Sequence, residues 1–186
     1  LILEAVARRA NLILADKDGH IIDCLRRIDF EMNPDRQMLP GLFYHLPTPP
    51  DKVSPFTVTE EEFTALAAAA GEGAPADQWL VRTVNGLSPL VARELTFRAC
   101  GSTDAPVTGH TAALWSAFAA WWDTVNEKHF TPEILKRSGV PMDFTYLHVG
   151  QYGGAAEEET YTSFSRLLDD FYEKREQAER VKQKGQ

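Results

Sequence analysis

Apolar side chains at the start of the chain occur in short runs between turn residues, a pattern typical of β-strands. Leu1–Val6 and Asn11–Asp16 are two such runs, rich in leucine and isoleucine. Asp18-Gly19 follows and indicates a hairpin, because both central residues of a type I′ turn require a positive φ. Ile21–Ile28 is then the return strand. Since two or three strands alone are only marginally stable, we expect an antiparallel sheet whose earlier strands precede this segment.

The strands give way to a proline-rich connector and then to a helix. Residues 38–56 hold five prolines, which remove backbone donors and restrict their neighbours, so this stretch is predicted to be extended. Thr59 and Glu62 then match a capping box, in which the hydroxyl accepts from the third helical N–H. The helix is predicted to continue to about Ala70 and to end at Gly71.

A longer helix is predicted over Thr111–Lys128, where apolar side chains recur on one face. The members of this stripe are Leu114, Phe118, Trp121, Trp122 and Val125. The two adjacent tryptophans are a possible surface for stacking nucleic-acid bases. We favour packing in the core, because both continue the apolar stripe.

The last part of the chain combines a second hairpin with a terminal helix. Thr131–Arg137 and Met142–Val149 flank Ser138-Gly139, which indicates two strands and a turn. From Tyr161 onward the apolar residues return to a helical period. Residues 173–182 are strongly helix-forming but have almost no apolar face of their own, and Asp170 with Lys174 and Glu176 with Arg180 are spaced as i, i+4 ion pairs. This segment is either a solvated terminal helix or the beginning of a truncated coiled coil, and the sequence leaves both open.

Two short segments on either side of a break form the most specific pattern in the chain. Asp77–Val84 is predicted to be helical, with apolar residues on one side. Asn85-Gly86 ends this helix, because asparagine and glycine tolerate left-handed backbone. Leu87 is then placed to fill the inside of the turn.

A second helix begins directly after the break. Ser88 is a favourable N-cap, and Pro89 suits the first helical position because its missing N–H costs nothing there. The helix is predicted over Leu90–Cys100 and ends at Gly101. Residues 77–100 therefore match a helix-hairpin-helix.

This arrangement suits a phosphate group. The turn and the start of the second helix present backbone N–H groups at the positive end of a helix dipole, where a phosphate oxygen is stabilised. Arg82 and Arg93 can add positive charge. The alternative is an αα-hairpin that serves only packing, and for the isolated pattern it is slightly favoured.

Composition limits what else the chain can do. It has 186 residues, 44% of them hydrophobic, and a net charge of −8, so bulk attraction to nucleic acid is excluded and any such contact must be local. No apolar run approaches the ~18 residues of a membrane span, so no membrane association is expected. Cys24 and Cys100 are expected to be buried free thiols in a reducing, cytoplasmic setting.

No cofactor, metal or catalytic site is predicted. The five histidines have neither the spacing to a glutamate nor the neighbouring cysteine of a metal site. A nucleophile elbow and a kinase signature are also missing, and Gly150–Gly154 lacks the strand–turn–helix context of a nucleotide fingerprint. We therefore expect a binding protein and no enzyme.

Four separated motifs, in order along the chain, resemble a known family. They are Asn11-Leu12-Ile13-Leu14 before the Asp-Gly turn, Arg36-Gln37-Met38-Leu39-Pro40-Gly41 with Tyr44 and Pro47, Gly86-Leu87-Ser88-Pro89, and Leu167-Leu168-Asp169-Asp170-Phe171-Tyr172 leading into Ala178-Glu179-Arg180-Val181-Lys182-Gln183. In these motifs the sequence resembles the NFACT proteins. These are the RqcH-type ribosome quality-control factors, also described as fibronectin- or fibrinogen-binding proteins.

The resemblance implies both a position in the family and a function. The chain would cover the second half of the N-terminal NFACT domain, the helix-hairpin-helix domain and the start of the coiled coil. The expected partners are the large ribosomal subunit and tRNA, chiefly alanyl-tRNA, in support of template-free alanine tailing of stalled nascent chains. Peptide-bond formation there belongs to the ribosome.

One departure from the family concerns the arginines near the first strands. Ala7-Arg8-Arg9-Ala10 stands where the family often has Gly-Arg-His-Ser, and the family's Asp-Arg motif would lie upstream of this segment. The candidate nucleic-acid contacts are Arg8, Arg9, Arg36, Arg82, Asn85, Gly86, Leu87, Ser88 and Arg93.

Two rival functions stay open. One is a surface adhesin that binds fibronectin or fibrinogen, as other descriptions of the family imply. The other is a DNA-binding helix-hairpin-helix module, because the N-terminal and helix-hairpin-helix domains also resemble those of one class of DNA glycosylases.

The predicted fold class is α+β, with a partial antiparallel sheet domain followed by a mostly helical module. Residues 1–56 are assigned to the sheet domain and connector, and residues 57–130 to the helical module with the helix-hairpin-helix at 77–100. Residues 131–160 are expected to form a hairpin that returns to the sheet domain. Residues 161–186 are expected to form the helix that leads into a truncated coiled coil.

Overall fold

A computed structural model describes residues 1–5 and 9–184, without the side chains of 178, 179 and 181–184. The chain divides into two compact units, Leu1–Pro50 and Asp51–Gln186. Helices and antiparallel sheets are both present, so the α+β class is confirmed.

The first unit is built on a three-stranded antiparallel sheet in the order β1-β2-β3. Its strands are β1 (Ile2–Glu4), β2 (Asn11–Ala15) and β3 (Ile21–Cys24). Side chains along β2 alternate between buried and exposed, as expected for a sheet with one covered face. Ile13, Ile21 and Met38 form the small core under that face.

Two details of this sheet differ from the sequence prediction. In the β2–β3 turn Gly19 has a φ of 91°, whereas Asp18 is outside the positive-φ region, so the turn is not type I′. The Asp16 carboxylate holds it instead, accepting from the N–H groups of Asp18 and His20 at 2.9 Å. The return strand is also shorter than Ile21–Ile28. It ends at Cys24, because the Asn11 side chain forms hydrogen bonds with both the N–H and the carbonyl of Arg26.

The second unit begins with four helices. They are α1 (Glu60–Ala68), α2 (Ala76–Thr83), α3 (Pro89–Cys100) and α4 (Thr111–Asn126). Thr59 caps α1, and its hydroxyl accepts from the Glu62 N–H at 3.2 Å, which confirms this part of the capping box. The predicted bounds of α1 and α4 are correct to within two residues at their C-terminal ends.

The core of this unit is aromatic, with Phe63 of α1 at its centre. Phe63 and Phe118 are almost wholly buried and stack with ring centroids 5.6 Å apart. Trp121 is also buried, and its indole N–H donates to the Tyr146 hydroxyl at 2.9 Å. Trp122 is only half-buried and meets the exposed ring of Phe56 edge-on. The prediction that the tryptophans pack in the core therefore holds fully for Trp121 and partly for Trp122.

A second three-stranded sheet follows, in the order β5-β4-β6. Its strands are β4 (Glu133–Arg137), β5 (Val140–Thr145) and β6 (Glu157–Thr160), with a 3₁₀ turn at Gly153–Ala155. Ser138 and Gly139 both have positive φ, 51° and 74°, as a type I′ hairpin requires. The predicted second hairpin is formed by β4 and β5, and Glu133–Lys136 of β4 also pair with β6. That this hairpin returns to the first sheet domain stays a prediction.

The central strand β4 is covered on both faces. Leu135 packs into the aromatic core, while Ile134 contacts Leu167 and Phe171 of the terminal helix α5 (Phe164–Lys184). The helix begins three residues later than predicted. Its apolar stripe covers the sheet, and the i, i+4 pair of Glu176 and Arg180 forms at 2.6 Å. Whether α5 continues into a coiled coil stays a prediction.

Candidate nucleic-acid interface

The α2–α3 hairpin (Ala76–Cys100) has the local chemistry that its sequence predicts. Gly86 has a φ of 81° and turns the chain, while Leu87 is buried beneath the turn. The Ser88 hydroxyl accepts from the Val91 N–H at 3.3 Å, and Pro89 begins α3. Gly101 ends α3 in the left-handed conformation with a φ of 72°.

A short stretch of the connector supports the turn, which the sequence did not reveal. Val53 bridges to Val84 as a parallel partner: its N–H donates to the Thr83 carbonyl and its carbonyl accepts from the Asn85 N–H, both at 2.9 Å. The Lys52 ammonium donates to the Val81 carbonyl at 2.6 Å and thereby stabilises the negative end of α2. The backbone N–H of Asn85 is therefore already paired within the protein.

Other amides of the turn are unpaired. Within the part of the chain that the structure describes, the N–H groups of Gly86, Leu87 and Leu90 have no hydrogen-bond partner. They lie in the turn and the first turn of α3, at the positive end of the helix dipole. Gly86 is exposed, and a Cβ there would have open space around it, so a ligand can approach this backbone closely. The geometry suits a phosphate oxygen.

An apolar pocket of about 490 Å³ lies beside the turn. Its lining is mostly aromatic and comprises Pro55, Phe56, Asn85, Gly86, Trp121, Trp122, Val125, Phe130, Tyr146 and Phe164. Phe56 is 79% exposed, and its ring centroid lies 4.7 Å from that of Trp122. Exposed aromatic rings next to unpaired amides offer a stacking surface for a base close to a position for its phosphate.

Arg82 lies in the last turn of α2, before the hairpin turn, and Arg93 lies in α3, after it. Both side chains are exposed, and neither forms an ion pair with another described residue. Arg98 differs, because its guanidinium donates to Glu94 at 2.7 Å and to the His148 carbonyl at 2.5 Å. Arg82 and Arg93 are therefore the available cations of the α2–α3 hairpin.

Glu94 anchors α3 from its buried side. The carboxylate is 2% exposed and accepts from Arg98 through Oε1 and from the Gln151 N–H, at 3.0 Å, through Oε2. The Gln151 side chain donates in turn to the Leu90 carbonyl at 2.9 Å. Gly150 sits against the Phe97 ring, where a Cβ would approach to 3.2 Å. The loop after β5 is thus fastened to α3.

The arginine candidates of the first unit have different surroundings. Arg9 is exposed and lines a shallow concavity of about 360 Å³ with Arg26, Ile28, Met32 and Asn33. Arg8 lies outside the described residues. The position of Arg9 at the rim of a concavity is compatible with a contact to a ligand.

Arg36 is tied into the fold of the first unit. Its guanidinium bonds to the Glu4 carboxylate, donates through Nε to the His45 carbonyl at 2.8 Å and lies 5.5 Å from the Tyr44 ring centroid. The Arg36 hydrogen bond lowers the pKa of Glu4, and the Tyr44 hydroxyl, which donates to Glu4 at 2.9 Å, lowers it further against the effect of burial. The charge of Arg36 is largely neutralised by this pair.

The structure also brings together three residues that sequence spacing did not connect. Glu133, His148 and Glu158 place one ligand atom each within 4.8 Å of one another. Their spacing along the chain does not indicate a site, because they meet only through the pairing of β4 with β6 and the path of the loop after β5. The buried position of Glu94 is easier to find in the sequence than this cluster, because Glu94 lies between Val91 and Leu95 on the apolar face of α3.

The cysteines and the helices bear on two further predictions. Cys24 and Cys100 are free thiols, as expected, but each is only partly buried, and this burial raises the pKa of both. The second prediction concerned membrane spans. Among the described residues, every helix is too short or too polar to cross a lipid bilayer.

Comparison with known proteins identifies the family. The family of NFACT N-terminal and middle domains matches residues 1–186, so this chain belongs to the NFACT family. It is 33% identical over 187 residues to the Rqc2 homolog RqcH of Bacillus subtilis (strain 168), covering all of this chain and 31% of that protein. The Rqc2 homolog RqcH of Streptococcus pneumoniae serotype 2 is 27% identical, with 29% of its length covered. The chain thus spans about a third of these relatives.

Solved structures agree with this assignment. The fibrinogen binding protein from Staphylococcus aureus superposes with a TM-score of 0.64 at 26% identity, over 91% of this chain and 57% of that one. The N-terminal part of the fibronectin/fibrinogen-binding protein from Streptococcus suis has a TM-score of 0.60 at 22% identity, over 92% and 55% of the two chains. The second likeness shows the shared fold.

Proposed function

We propose that this chain is the part of a cytoplasmic ribosome quality-control factor that holds tRNA on the large ribosomal subunit. The factor as a whole would support template-free alanine tailing of stalled nascent chains. Membership of the NFACT family and relatives named Rqc2 homolog RqcH support the proposal. The observation that carries it is the group of unpaired amides at the start of α3, next to an aromatic pocket.

The α2–α3 hairpin binds RNA as a helix-hairpin-helix in this proposal. The amides of Gly86 and Leu90 donate to a phosphate oxygen, and Arg82 and Arg93 add the charge that neutral amides lack. A neighbouring base stacks on Phe56 at the mouth of the pocket. The chain supplies binding and orientation, while the ribosome forms the peptide bonds.

The net negative charge of this chain limits how tightly it is expected to bind tRNA. With a net charge of −8, the chain has only local attraction for phosphate, so its own affinity for tRNA is weak and falls steeply with salt. Tight binding then depends on other parts of the full-length protein and on the ribosome.

Co-sedimentation of the full-length protein with large ribosomal subunits tests this proposal. We expect the protein in the large-subunit fractions of a sucrose gradient, with reduced tRNA in those fractions for the Arg82→Ala, Arg93→Ala double variant. Lys17→Ala, which removes an exposed cation from the β2–β3 turn, is the control and should leave tRNA unchanged. A protein found only at the top of the gradient would overturn the proposal.

A second candidate function is binding of fibrinogen or fibronectin at the cell surface. The likeness to the Staphylococcus aureus fibrinogen binding protein favours it. Surface labelling of intact cells separates the two proposals, because an adhesin is labelled as readily as a known surface marker. The DNA-binding alternative is separated by competition at one stated salt concentration, in which duplex DNA would displace tRNA from the α2–α3 hairpin.

A further inference from the structure

Three ligand-bearing side chains meet at the second sheet. Glu133 begins β4, Glu158 lies in β6 and His148 lies in the loop after β5. His148 Nδ1 is 2.7 Å from Glu158 Oε2 and 3.7 Å from Glu133 Oε2. The register of β4 and β6 explains why Glu133 and Glu158 lie close together. Leu135 pairs with Glu158 and Glu133 pairs with Thr160, so the two carboxylates are diagonal neighbours on one face.

Glu133 is the feature that calls for an explanation. The residue is 5% exposed, and its Oε2 atom is buried without a hydrogen-bond partner among the described residues. This oxygen faces a second carboxylate, that of Glu158, and burial and this repulsion together raise the pKa of Glu133. An unpaired buried carboxylate oxygen is costly, and proteins normally supply it with a donor or a cation.

Glu94, the other buried glutamate among the described residues, shows which hydrogen-bond partners Glu133 lacks. Glu94 is equally buried, but Arg98 and the Gln151 N–H satisfy both of its oxygens. Near Glu133 the nearest lysine of the same strand, Lys136, instead pairs with Glu159. The described residues around Glu133 thus supply a histidine and a second carboxylate, but no lysine or arginine in an ion pair with it.

From this geometry we propose that Glu133, His148 and Glu158 bind one divalent transition-metal ion, for which zinc is the best match. Imidazole nitrogen with two carboxylate oxygens is a donor set that zinc accepts, and water completes its fourth position. Magnesium and calcium prefer oxygen ligands alone. The two carboxylates carry the negative charge that a divalent ion neutralises.

A metal ion can reach this site from solvent, and the three ligand atoms already lie near one another. The side chains of His148 and Glu158 are 68% and 27% exposed, so an ion and a water molecule can reach the buried oxygen of Glu133. Tetrahedral zinc holds its ligand atoms roughly 3.5 Å apart. His148 Nδ1 lies 2.7 Å and 3.7 Å from the two carboxylate oxygens, and all three ligand atoms lie within 4.8 Å of one another, which is close to that spacing. Bound metal would join β4 and β6 to the loop that Glu94 fastens to α3.

Zinc titration of the whole chain, first stripped with a chelator, tests the site. Isothermal titration calorimetry should show one zinc ion per chain, and the melting temperature should rise with zinc and fall again with chelator. Magnesium at the same concentration should have no such effect. Substituting cobalt should give the absorption bands of a low-symmetry four-coordinate site.

Variants assign the ligands. His148→Ala should weaken zinc binding by roughly tenfold or more, since even the loss of a supporting second-sphere contact costs that much. His129→Ala is the matched control, because His129 is an exposed histidine beside Glu127 at 3.1 Å and lies outside the cluster. Glu133→Gln should abolish the zinc response while the metal-free protein becomes no less stable, because a carboxylate repulsion is removed.

The outcomes separate cleanly. One zinc ion per chain, bound more weakly by His148→Ala, not bound by Glu133→Gln and bound unchanged by His129→Ala, establishes the site. Absence of binding in the wild-type chain, or binding that these two variants leave unchanged, overturns it. The test does not involve RNA, so its failure would leave the proposed function untouched.

Discussion

Glu94 and Gln151 join two parts of the second unit that are far apart in sequence. The buried Glu94 carboxylate accepts the Gln151 N–H at 3.0 Å, while the Gln151 side chain returns a hydrogen bond to the Leu90 carbonyl. This pair fixes the first turns of α3 against the loop after β5. Since the unpaired amides lie in the same part of α3, the pair also positions the candidate phosphate site.

Replacing Glu94 by alanine should destabilise the second unit. The substitution leaves the Gln151 N–H without its partner, which should cost about 1–3 kcal/mol. It also removes one acceptor of Arg98, but that side chain is 42% exposed and keeps the His148 carbonyl, so this loss should add little. Urea unfolding followed by tryptophan fluorescence measures the change, since all four tryptophans lie in this unit. Glu127→Ala, at an exposed position, should stay within about 0.5 kcal/mol of wild type. Equal stability of the two variants would contradict this role for Glu94.

Gly86→Ala should destabilise the α2–α3 hairpin through its backbone. Gly86 has a φ of 81°, and a Cβ there meets nothing within 4 Å, so the penalty is conformational and about 1–2 kcal/mol. Gly71 is the matched control, because an added Cβ there also meets nothing and its φ is not positive. Gly71→Ala should therefore be neutral or slightly stabilising. Thermal unfolding compares the two, and a harmless Gly86→Ala would refute the assigned turn.

Tyr146→Phe should lower stability because it leaves the indole N–H of Trp121 without a hydrogen-bond acceptor. That group is buried and donates to the Tyr146 hydroxyl at 2.9 Å, so its loss should cost about 1–3 kcal/mol. Tyr172→Phe removes a hydroxyl from a side chain that is 60% exposed and serves as control. Urea midpoints that match between the two variants would show that the hydroxyl contributes nothing.

The Glu4–Arg36 pair should make the first unit sensitive to acid. The pKa of Glu4 is lowered in the folded state, chiefly by the Arg36 hydrogen bond. The carboxylate therefore contributes stability that is fully present above the unfolded pKa of about 4.3 and is lost as pH falls through the lower, folded value.

Glu4→Gln isolates this contribution. Wild type should lose stability of the first unit relative to the variant as pH falls below about 4.3, whereas the difference should be constant at neutral pH. Denaturant titrations followed by NMR signals of Ile13 and Ile21 report on this unit. Parallel pH profiles for the two proteins would show that the ion pair does not contribute.

Local chemistry explains what the sequence could predict. The caps at Thr59, Ser88 and Gly101 and the turn at Ser138-Gly139 depend on residues within a few positions of one another, and the structure has them all. The apolar stripe of α4 was equally legible, because it repeats within one helix. These elements include most of the candidate site.

Contacts between distant segments explain what the sequence could not predict. The β6 strand, Glu157–Thr160, is too polar to resemble a buried strand, and its pairing with β4 decides where the second hairpin belongs. Val53 pairs with the turn from within a proline-rich connector. The exposed aromatic pocket likewise depends on how Phe56 and Phe164 meet α4. None of these relationships has a periodic or local signal.

The salt dependence of tRNA binding tests the central claim most directly. Fluorescence anisotropy at several stated salt concentrations gives both the Kd and the slope of its logarithm against that of salt. For the Arg82→Ala, Arg93→Ala double variant we expect weaker binding and a slope reduced by about 2, roughly one for each arginine that no longer neutralises a phosphate. Lys17→Ala should leave both unchanged. If the double variant has the wild-type Kd and slope, the α2–α3 hairpin does not hold RNA.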